Sequence, residues 1–237
     1  MIREIFGKKI GMTQVFDKDG SLIGVTLVEI EPVCILETVS YATKPRVRIG
    51  CFKCDERKVK KPLLGYFKKV GASPYRMVRE VLIDEKASEG VKQEVVSAEQ
   101  GKNQESTSAQ SQEKSPAISL PEVGIEMFNE GDMVSVRGRT KGKGFTGGMK
   151  RHGWHGGPGA HGSMFHRRIG SNGANTDPGR VVRGHPMPGH CGDVIRIMKN
   201  LKVFRVDKEK KVLFIQGSIP GSRGGIVSVE KLSKQAK

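Results

Sequence analysis

Short runs of alternating apolar and polar residues, separated by turn-forming residues, fill the first third of the chain. They predict strands at residues 12–16, 22–30, 33–39, 47–52 and 77–83, because side chains alternate between the two faces of a sheet. An Asp-Gly turn at 17–20 separates the first two strands. Pro62 and Gly71 favour a short helix over residues 62–70, with proline in its first turn and glycine after its end. Short strands between turns indicate a barrel or sandwich.

The remaining pattern divides the chain into further segments. Strands are predicted at 128–136, 201–206, 212–216 and 226–229, and the last three would close the barrel begun near the start of the sequence. The region 85–121 is rich in Ser, Gln, Glu and Lys and has no aromatic residue, which predicts a disordered insertion. The predicted organisation is therefore 1–84 as the first part of the barrel, 85–121 as the insertion, 122–136 as a barrel strand, 137–192 as an irregular extension and 193–237 as the C-terminal barrel strands.

Charge makes the irregular segment 137–192 the most informative part of the chain. The whole protein has a formal net charge of +16, and this segment holds ten Lys or Arg residues against the single acid Asp177, which gives +9. It also contains all 6 histidines. Glycine and proline interrupt it so often that no helical or strand period of apolar residues runs through it, and it lacks the apolar area for a core of its own. A long segment of this composition is expected to bind a polyanion.

Several other classes of protein fit the sequence less well. No run of about 18 apolar residues is present to span a bilayer, and the basic segment has no amphipathic helical period. The first residues include no apolar run typical of a secretory signal, so the 4 cysteines are expected to be reduced thiols. Cys51 and Cys54 have the spacing of half a zinc site, but a second close pair is missing. They are either zinc ligands or ordinary thiols at the end of a strand.

Two nucleotide-binding patterns occur in part at residues 142–147. Gly142, Gly144 and Gly147 match G-x-G-x-x-G, but the following sequence, His-Gly-Trp-His-Gly-Gly-Pro, does not predict the helix that would receive a pyrophosphate. A P-loop is excluded because Lys143 is followed by glycine, not by a hydroxyl residue for Mg²⁺. Glycines alternating with lysines instead allow the backbone to lie close to a phosphate chain.

At this point the sequence resembles a known family, the universal ribosomal protein L-three of the large subunit in its bacterial form. The resemblance rests on a Gly-rich basic signature, namely Phe128, Gly138, Thr140, Gly142, Lys143, Gly144, Gly147 and Arg151. It extends through residues 7–16, 170–180, 204–207 and 220–221. Ser135 departs from the pattern, because the family usually has Asp or Asn there, and this weakens one strand-end contact at most.

The resemblance implies a mostly β fold: a β-barrel like that of translation factors, with a long Gly-rich basic extension that penetrates ribosomal RNA (rRNA). It implies a structural constituent of the large subunit that binds 23S-type rRNA directly and early in assembly, with the extension reaching toward the peptidyl-transferase centre. The implied partners are large-subunit rRNA and neighbouring ribosomal proteins, without a membrane, a small-molecule substrate, a cofactor, a metal or an enzymatic activity. The expected location is the cytoplasmic ribosome, or an organellar matrix if the gene is organellar.

Residue types within the extension suggest individual roles. The predicted rRNA contacts are Arg137, Arg139, Lys141, Lys143, Lys150, Arg151, Trp154, Arg167, Arg168, Asn175, Arg180 and Arg183. Trp154 either stacks on an RNA base or packs on the outer edge of the barrel. By the resemblance, the tip nearest the peptidyl-transferase centre is Gly170, Ser171, Asn172, Gly173, Ala174, Asn175, Thr176 and Asp177. Many bacterial relatives carry an N-methylated glutamine where this chain has Ala174, so that modification is not expected here.

Two rival functions remain open at this level. One is a metal- or nucleotide-dependent enzyme that uses the histidines together with Cys51 and Cys54. The other is a nucleic-acid chaperone that is not part of a ribosome. Stoichiometric bound zinc would favour the first, and failure to sediment with large subunits at high salt would favour the second.

Overall fold

The computed structural model describes residues 2–39, 46–83 and 121–232. The predicted insertion 85–121 lies outside these ranges except for Pro121. The strands are β1 Glu4–Phe16, β2 Leu22–Ile30, β3 Val33–Val39, β4 Arg46–Lys53, β5 Tyr75–Leu82, β6 Glu122–Val123, β7 Met133–Arg139, β8 Gly144–Thr146, β9 Gly189–Cys191, β10 Ile195–Asp207, β11 Val212–Gln216 and β12 Ile226–Lys231. The described residues also form two α-helices, α1 Lys61–Val70 and α2 Gly148–His152.

The chain forms two compact units. The sheet unit comprises Met1–Gly138 and Arg196–Lys237, and the basic unit comprises Arg139–Ile195. Strand β7 leads into the basic unit and β10 leads out of it. The prediction of a mostly β protein with antiparallel sheets is confirmed. Within the described residues, no helix is both long enough and apolar enough to cross a membrane.

Six strands of the sheet unit form a closed ring in the order β1, β12, β7, β10, β11, β2. Strands from the two ends of the sequence are neighbours in this ring, since β1 pairs antiparallel with β12 from Glu4 opposite Glu230 to Lys8 opposite Ile226. The turn predicted between β1 and β2 is present: Gly20 has a φ of 77°, and the Asp17 N–H donates to the Ser21 carbonyl over 2.8 Å.

The second sheet corrects the predicted division of the chain. Residues 1–84 were all expected in the barrel, but β3, β4 and β5 lie in a separate four-stranded sheet with the order β5, β4, β3, β6. The chain leaves the ring between β2 and β3, through Glu31 and Pro32. Proline has no N–H to donate to a strand ladder, so the ring ladder is interrupted where β3 begins in the other sheet.

Helix α1 confirms the predicted element beside this sheet. Gly71 ends it in the left-handed conformation with a φ of 77°, a geometry that glycine adopts without the strain of a Cβ atom. Phe67 is the buried residue of the helix, and its ring meets that of Tyr75 edge-on, with 6.0 Å between the ring centroids. The helix is therefore held by an aromatic contact to β5.

The main core lies in the sheet unit and draws residues from both sheets. Ile5, Val28, Val134 and Leu213 of the ring are fully buried in the same cluster as Val47 of the second sheet. A smaller cluster holds Cys34, Leu36, Phe67 and Tyr75. Both clusters are built from residues outside the basic unit. The sheet unit therefore contains the apolar burial that stabilises this fold.

The strand predicted at 128–136 begins later than expected, at Met133. Residues 129–132 form a turn instead: the Asp132 N–H donates to the Asn129 carbonyl over 3.2 Å, and the Asn129 N–H donates to the Asp132 carboxylate over 2.9 Å. Gly131 has a φ of 83° within this turn. Local hydrogen bonds from Asn and Asp side chains compete with strand pairing, which explains the shorter element.

Candidate nucleic-acid interface

The ends of the basic unit are held together by polar contacts. The Arg139 guanidinium pairs with both carboxylate oxygens of Asp193, at 2.5 Å from Nε and 3.0 Å from Nη2. Next to this pair, the Thr140 N–H donates to the Val194 carbonyl over 2.9 Å, and the Val194 N–H donates to the Thr140 hydroxyl over 3.2 Å. These contacts join the two chain segments where they enter and leave the unit.

A short hairpin continues from this base. Strands β8 and β9 pair antiparallel, with Gly144 opposite Cys191 and Thr146 opposite Gly189. Gly192 follows β9 with a φ of 78°, and a Cβ atom there would lie 2.1 Å from the Lys141 carbonyl oxygen. Only glycine fits this close approach. The glycines of this hairpin therefore allow two backbones to meet at a point where Lys141 and Lys143 are exposed.

Helix α2 lies just before the sequence that was not expected to form a helix. Gly148–His152 form one turn of helix, which ends at Gly153 with a φ of 74°, and residues 153–158 are not helical. This turn is stabilised from a distant part of the chain: Arg151 Nη1 donates to the Met187 carbonyl over 2.6 Å. The helix has five residues and β8 before it is antiparallel to its partner, so the dinucleotide-binding arrangement is still not formed.

Trp154 packs inside the basic unit. Its ring stacks on His152 with 5.9 Å between centroids, and a Cβ atom added to Gly148 would lie 1.9 Å from Trp154 Cε3. The side chain is half-buried by these contacts. The sequence predicted that Trp154 contacts either RNA or the edge of the barrel. In the structure it contacts His152 and Gly148 of the basic unit.

The distal part of the basic unit is exposed without interruption. Every residue from 164 to 184 is exposed, including Phe165, Ile169 and Val182. A few local hydrogen bonds give the chain its path, such as Gly157 N–H to the His166 carbonyl at 2.7 Å and Arg168 N–H to the Phe165 carbonyl at 3.0 Å. The predicted tip, residues 170–177, lies in the middle of this exposed run.

The structure places the predicted contact residues in three groups. Arg137 lies on β7 in the sheet unit, opposite Ser228 of β12. Arg139, Arg151 and Trp154 have partners inside the basic unit, as described above. The remaining predicted residues are exposed in the basic unit, namely Lys141, Lys143, Lys150, Arg167, Arg168, Asn175, Arg180 and Arg183.

Electrostatics favour an anionic ligand. The basic unit contains nine Lys or Arg residues and two acids, Asp177 and Asp193, a formal charge of +7 from nine minus two. Within residues 139–195, the carboxylate of Asp193 neutralises one of these cations, Arg139. Exposed, unneutralised cations on a glycine-rich backbone can bind phosphates by charge and by forked hydrogen bonds from arginine.

Cys51 has the environment of a protonated thiol. Cys51 is buried in the main core, and burial raises its pKa to about 12. Zinc binds the thiolate, so this burial argues against Cys51 as a ligand. Among the described residues, no three His, Cys, Asp or Glu side chains are grouped so as to hold a metal ion.

A second set of exposed cations lies on β10 and was missed by the sequence reasoning. Lysine or arginine occurs at every third position along this strand, and each side chain is exposed: Arg196, Lys199, Lys202 and Arg205. This spacing is visible in the sequence, but it lies outside the glycine-rich segment 137–192 that carries a charge of +9. These four residues, all of the sheet unit, are further candidates for phosphate contacts.

Comparison with known proteins gives a consistent result. The family model described as "Ribosomal protein L3" matches residues 114–218. The protein named large ribosomal subunit protein uL3 in Acetivibrio thermocellus is 37% identical over 242 residues, covering 100% of both chains. Its counterpart in Corynebacterium jeikeium is 38% identical over 236 residues, covering 98% of this chain and 95% of the relative. That of Carboxydothermus hydrogenoformans is 36% identical over 236 residues, covering 99% of each.

Proposed function

The chain belongs to the ribosomal protein L3 family, and from this membership we propose that it is a structural constituent of the large ribosomal subunit. It binds 23S-type rRNA directly and early in assembly, in the cytoplasm or in an organellar matrix. The family consists of ribosomal proteins, which act in translation and not as enzymes, so the prediction that the chain is not an enzyme is confirmed.

In this proposal the basic unit is the extension that enters the rRNA, and residues 170–177 reach toward the peptidyl-transferase centre. The six-stranded ring corresponds to the barrel of translation factors and remains nearer the surface of the subunit, beside other ribosomal proteins. The rRNA contacts are the predicted residues of the extension other than Arg139, whose guanidinium is held by Asp193, together with the exposed cations of β10.

One observation supports the proposal most directly: residues 164–184 are all exposed and include Arg167, Arg168, Arg180 and Arg183. A chain segment of this length with no fully buried residue gains little from folding by itself. Its partly exposed Phe, Ile and Val side chains gain further contacts against a partner. RNA supplies both phosphates for the arginines and base faces for the apolar and aromatic side chains.

The experiment is a salt titration of the full-length chain on large-subunit rRNA. If six to nine cations meet phosphates, log K should fall against log salt with a slope of about −4 to −8. Replacing Arg167, Arg168, Arg180 and Arg183 by Gln should reduce the slope by about 3 to 4. A slope near zero for the unaltered chain would refute the electrostatic basis of the proposal.

A matched control removes the same charge elsewhere. Lys60, Lys61, Lys68 and Lys69 are exposed at and within helix α1, so replacing all four by Gln removes four positive charges without altering the basic unit. This control variant should keep the original slope. Equal flattening of the slope by both variants would show that net charge, and not contact by the basic unit, determines the affinity.

A further inference from the structure

The hairpin formed by β1 and β2 extends beyond the ring. The ladder of β1 with β12 is followed by hydrogen bonds at Lys9, whose N–H donates to the Gly225 carbonyl over 2.9 Å. The ladder of β2 with β11 ends in the same way at Gly24, whose carbonyl accepts from the Gly217 N–H over 2.9 Å. Beyond these points the two strands pair with each other as far as Phe16 opposite Leu22. We call residues 12–23 the hairpin ribbon.

One face of the hairpin ribbon carries three exposed apolar side chains. Met12 and Phe16 are four positions apart on β1, and Leu22 is the cross-strand partner of Phe16, so all three side chains lie on the same face. The exposed Gln14 lies on this face between Met12 and Phe16. Their exposed fractions are 51% for Met12, 71% for Phe16 and 54% for Leu22. Ile10, at the β-bulge just before the ribbon, is 43% exposed. An apolar group of this kind on a protruding ribbon marks an interaction surface.

The ribbon is also a weak element by itself. A two-stranded hairpin is only marginally stable in water unless a third strand or another surface packs on it. Its exposed strand edges invite pairing or covering by another chain. A partner that packs against this face would cover the apolar side chains. It would also supply the second surface that a two-stranded hairpin needs for stability.

The charge of the ribbon distinguishes between kinds of partner. Its turn contains Asp17 and Asp19 with Lys18, a formal charge of −1 from two acids and one base, in a chain of net charge +16. Carboxylates beside Phe16 repel the phosphates of RNA, whereas they attract Lys and Arg side chains on a protein. The ribbon therefore differs from the basic unit, whose charge suits RNA.

We propose that the apolar face of the hairpin ribbon binds a second protein of the large ribosomal subunit, through a surface that has apolar side chains at its centre and Lys or Arg at its rim. This inference rests on the proposed function, because it requires the chain to be part of that subunit. Phe16 and Leu22 form the centre of the contact, and Asp17 and Asp19 face the basic rim.

Photo-cross-linking in purified large subunits tests the inference. The chain is produced with benzoylphenylalanine in place of Phe16, and subunits that contain it are isolated and irradiated. The expected result is a cross-link to one other ribosomal protein, at a peptide containing apolar residues and Lys or Arg. A cross-link to rRNA, a cross-link to a second copy of this chain, or no cross-link would each overturn the inference.

The same label at Thr13 is the matched control. Thr13 is exposed on the same strand but on the opposite face of the ribbon. It should give at least tenfold less of the cross-linked product. Equal yields from both positions would show that the apolar face is not the contact surface.

A double variant separates this inference from the proposed function. In Phe16→Ser with Leu22→Ser, the free chain should keep its melting temperature, since both side chains are mainly exposed. Subunits should retain the chain itself but lose about tenfold of the cross-linked partner after a high-salt wash. An unchanged level of the partner overturns this inference alone, whereas absence of even the unaltered chain from large subunits overturns the proposed function.

Discussion

At the scale of single residues, Arg139 shows why charge alone does not identify a phosphate contact. Its guanidinium forms a bidentate ion pair with the carboxylate of Asp193. The Arg139 side chain is nevertheless 68% exposed and that of Asp193 46% exposed. A pair this exposed stabilises the protein by well under about 1 kcal/mol. Its effect is geometric, since it holds the entrance and exit of the basic unit together and occupies a cation that the sequence assigned to RNA.

The first prediction compares Arg139 with Arg167. Arg139→Gln should leave the salt slope of rRNA binding unchanged, because its guanidinium already has an anionic partner and releases no counterions from RNA. Arg167→Gln should reduce the slope by about 0.7 to 0.9, the value for one phosphate contact. Affinity measured over a salt series for both variants decides the matter, and an equal reduction in both would show that Arg139 leaves Asp193 to contact RNA.

The second prediction concerns the thiols. Burial raises the pKa of Cys34 and that of Cys51, the latter to about 12, so both remain protonated and covered in the native protein. Cys54 and Cys191 are half-buried. A thiol reagent at pH 8 should therefore modify two cysteines in the folded chain and all four after unfolding. Protection of Cys54 that is removed by a chelator would instead revive the zinc interpretation.

At the scale of elements, the local pattern was sufficient to predict the bounds of a strand where apolar and polar residues alternate regularly. The predicted bounds of β2, β3 and β11 agree with the structure. Strand β1 begins at Glu4, earlier than predicted, because its first part is stabilised by pairing with β12 from the other end of the sequence. Such long-range pairing has no local signal. Strand β10 is also longer than predicted, since Arg196 and Lys199 interrupt its apolar pattern.

The same limit applies to the candidate interface. Composition was sufficient to locate the basic segment, because charge and glycine content are properties of the sequence itself. The ion pair of Arg139 and the bond from Arg151 to the Met187 carbonyl were beyond prediction, since each joins residues far apart in the chain. Helix α2 was missed for the same reason: one turn of helix is unfavourable without such outside contacts.

The third prediction tests the packing of α2 on Trp154, the only tryptophan of the chain. In Gly148→Ala, the new methyl group would overlap the indole ring and displace it toward solvent, so tryptophan fluorescence should shift to longer wavelength. Gly147→Ala is the matched control, because no atom lies within 4 Å of its added Cβ and its φ is −67°. Identical emission spectra from the two variants would contradict the described packing.

At the scale of the whole molecule, stability and RNA binding are assigned to different parts. The buried apolar clusters belong to the sheet unit, whereas the exposed run 164–184 belongs to the basic unit. Substitutions within the exposed run remove almost no buried contacts. They are therefore expected to change binding and assembly while leaving the unfolding of the isolated protein nearly unaffected.

The fourth prediction applies this separation to the tip. Asn175→Asp should leave the melting temperature of the free chain unchanged, because Asn175 is exposed. It replaces an amide donor by a negative charge at a place where the proposal puts rRNA phosphates, and should impair subunit maturation or peptidyl transfer in reconstituted subunits. Asn175→Gln, which keeps the amide, should be less harmful. Full activity with Asp at this position would mean that the tip does not contact RNA closely.

The closure of the ring also determines the order in which parts of the protein are completed during synthesis. The basic unit is complete once Ile195 has been added, but β12, which pairs with both β1 and β7, is made later. A nascent chain therefore exposes its cations while the edges of β1 and β7 that β12 will cover are still open. During that interval it attracts any RNA nearby and offers edges to any other incomplete chain. We expect cells that make this protein in quantity to shorten the interval, either by covering the unfinished chain or by delivering it quickly to its RNA.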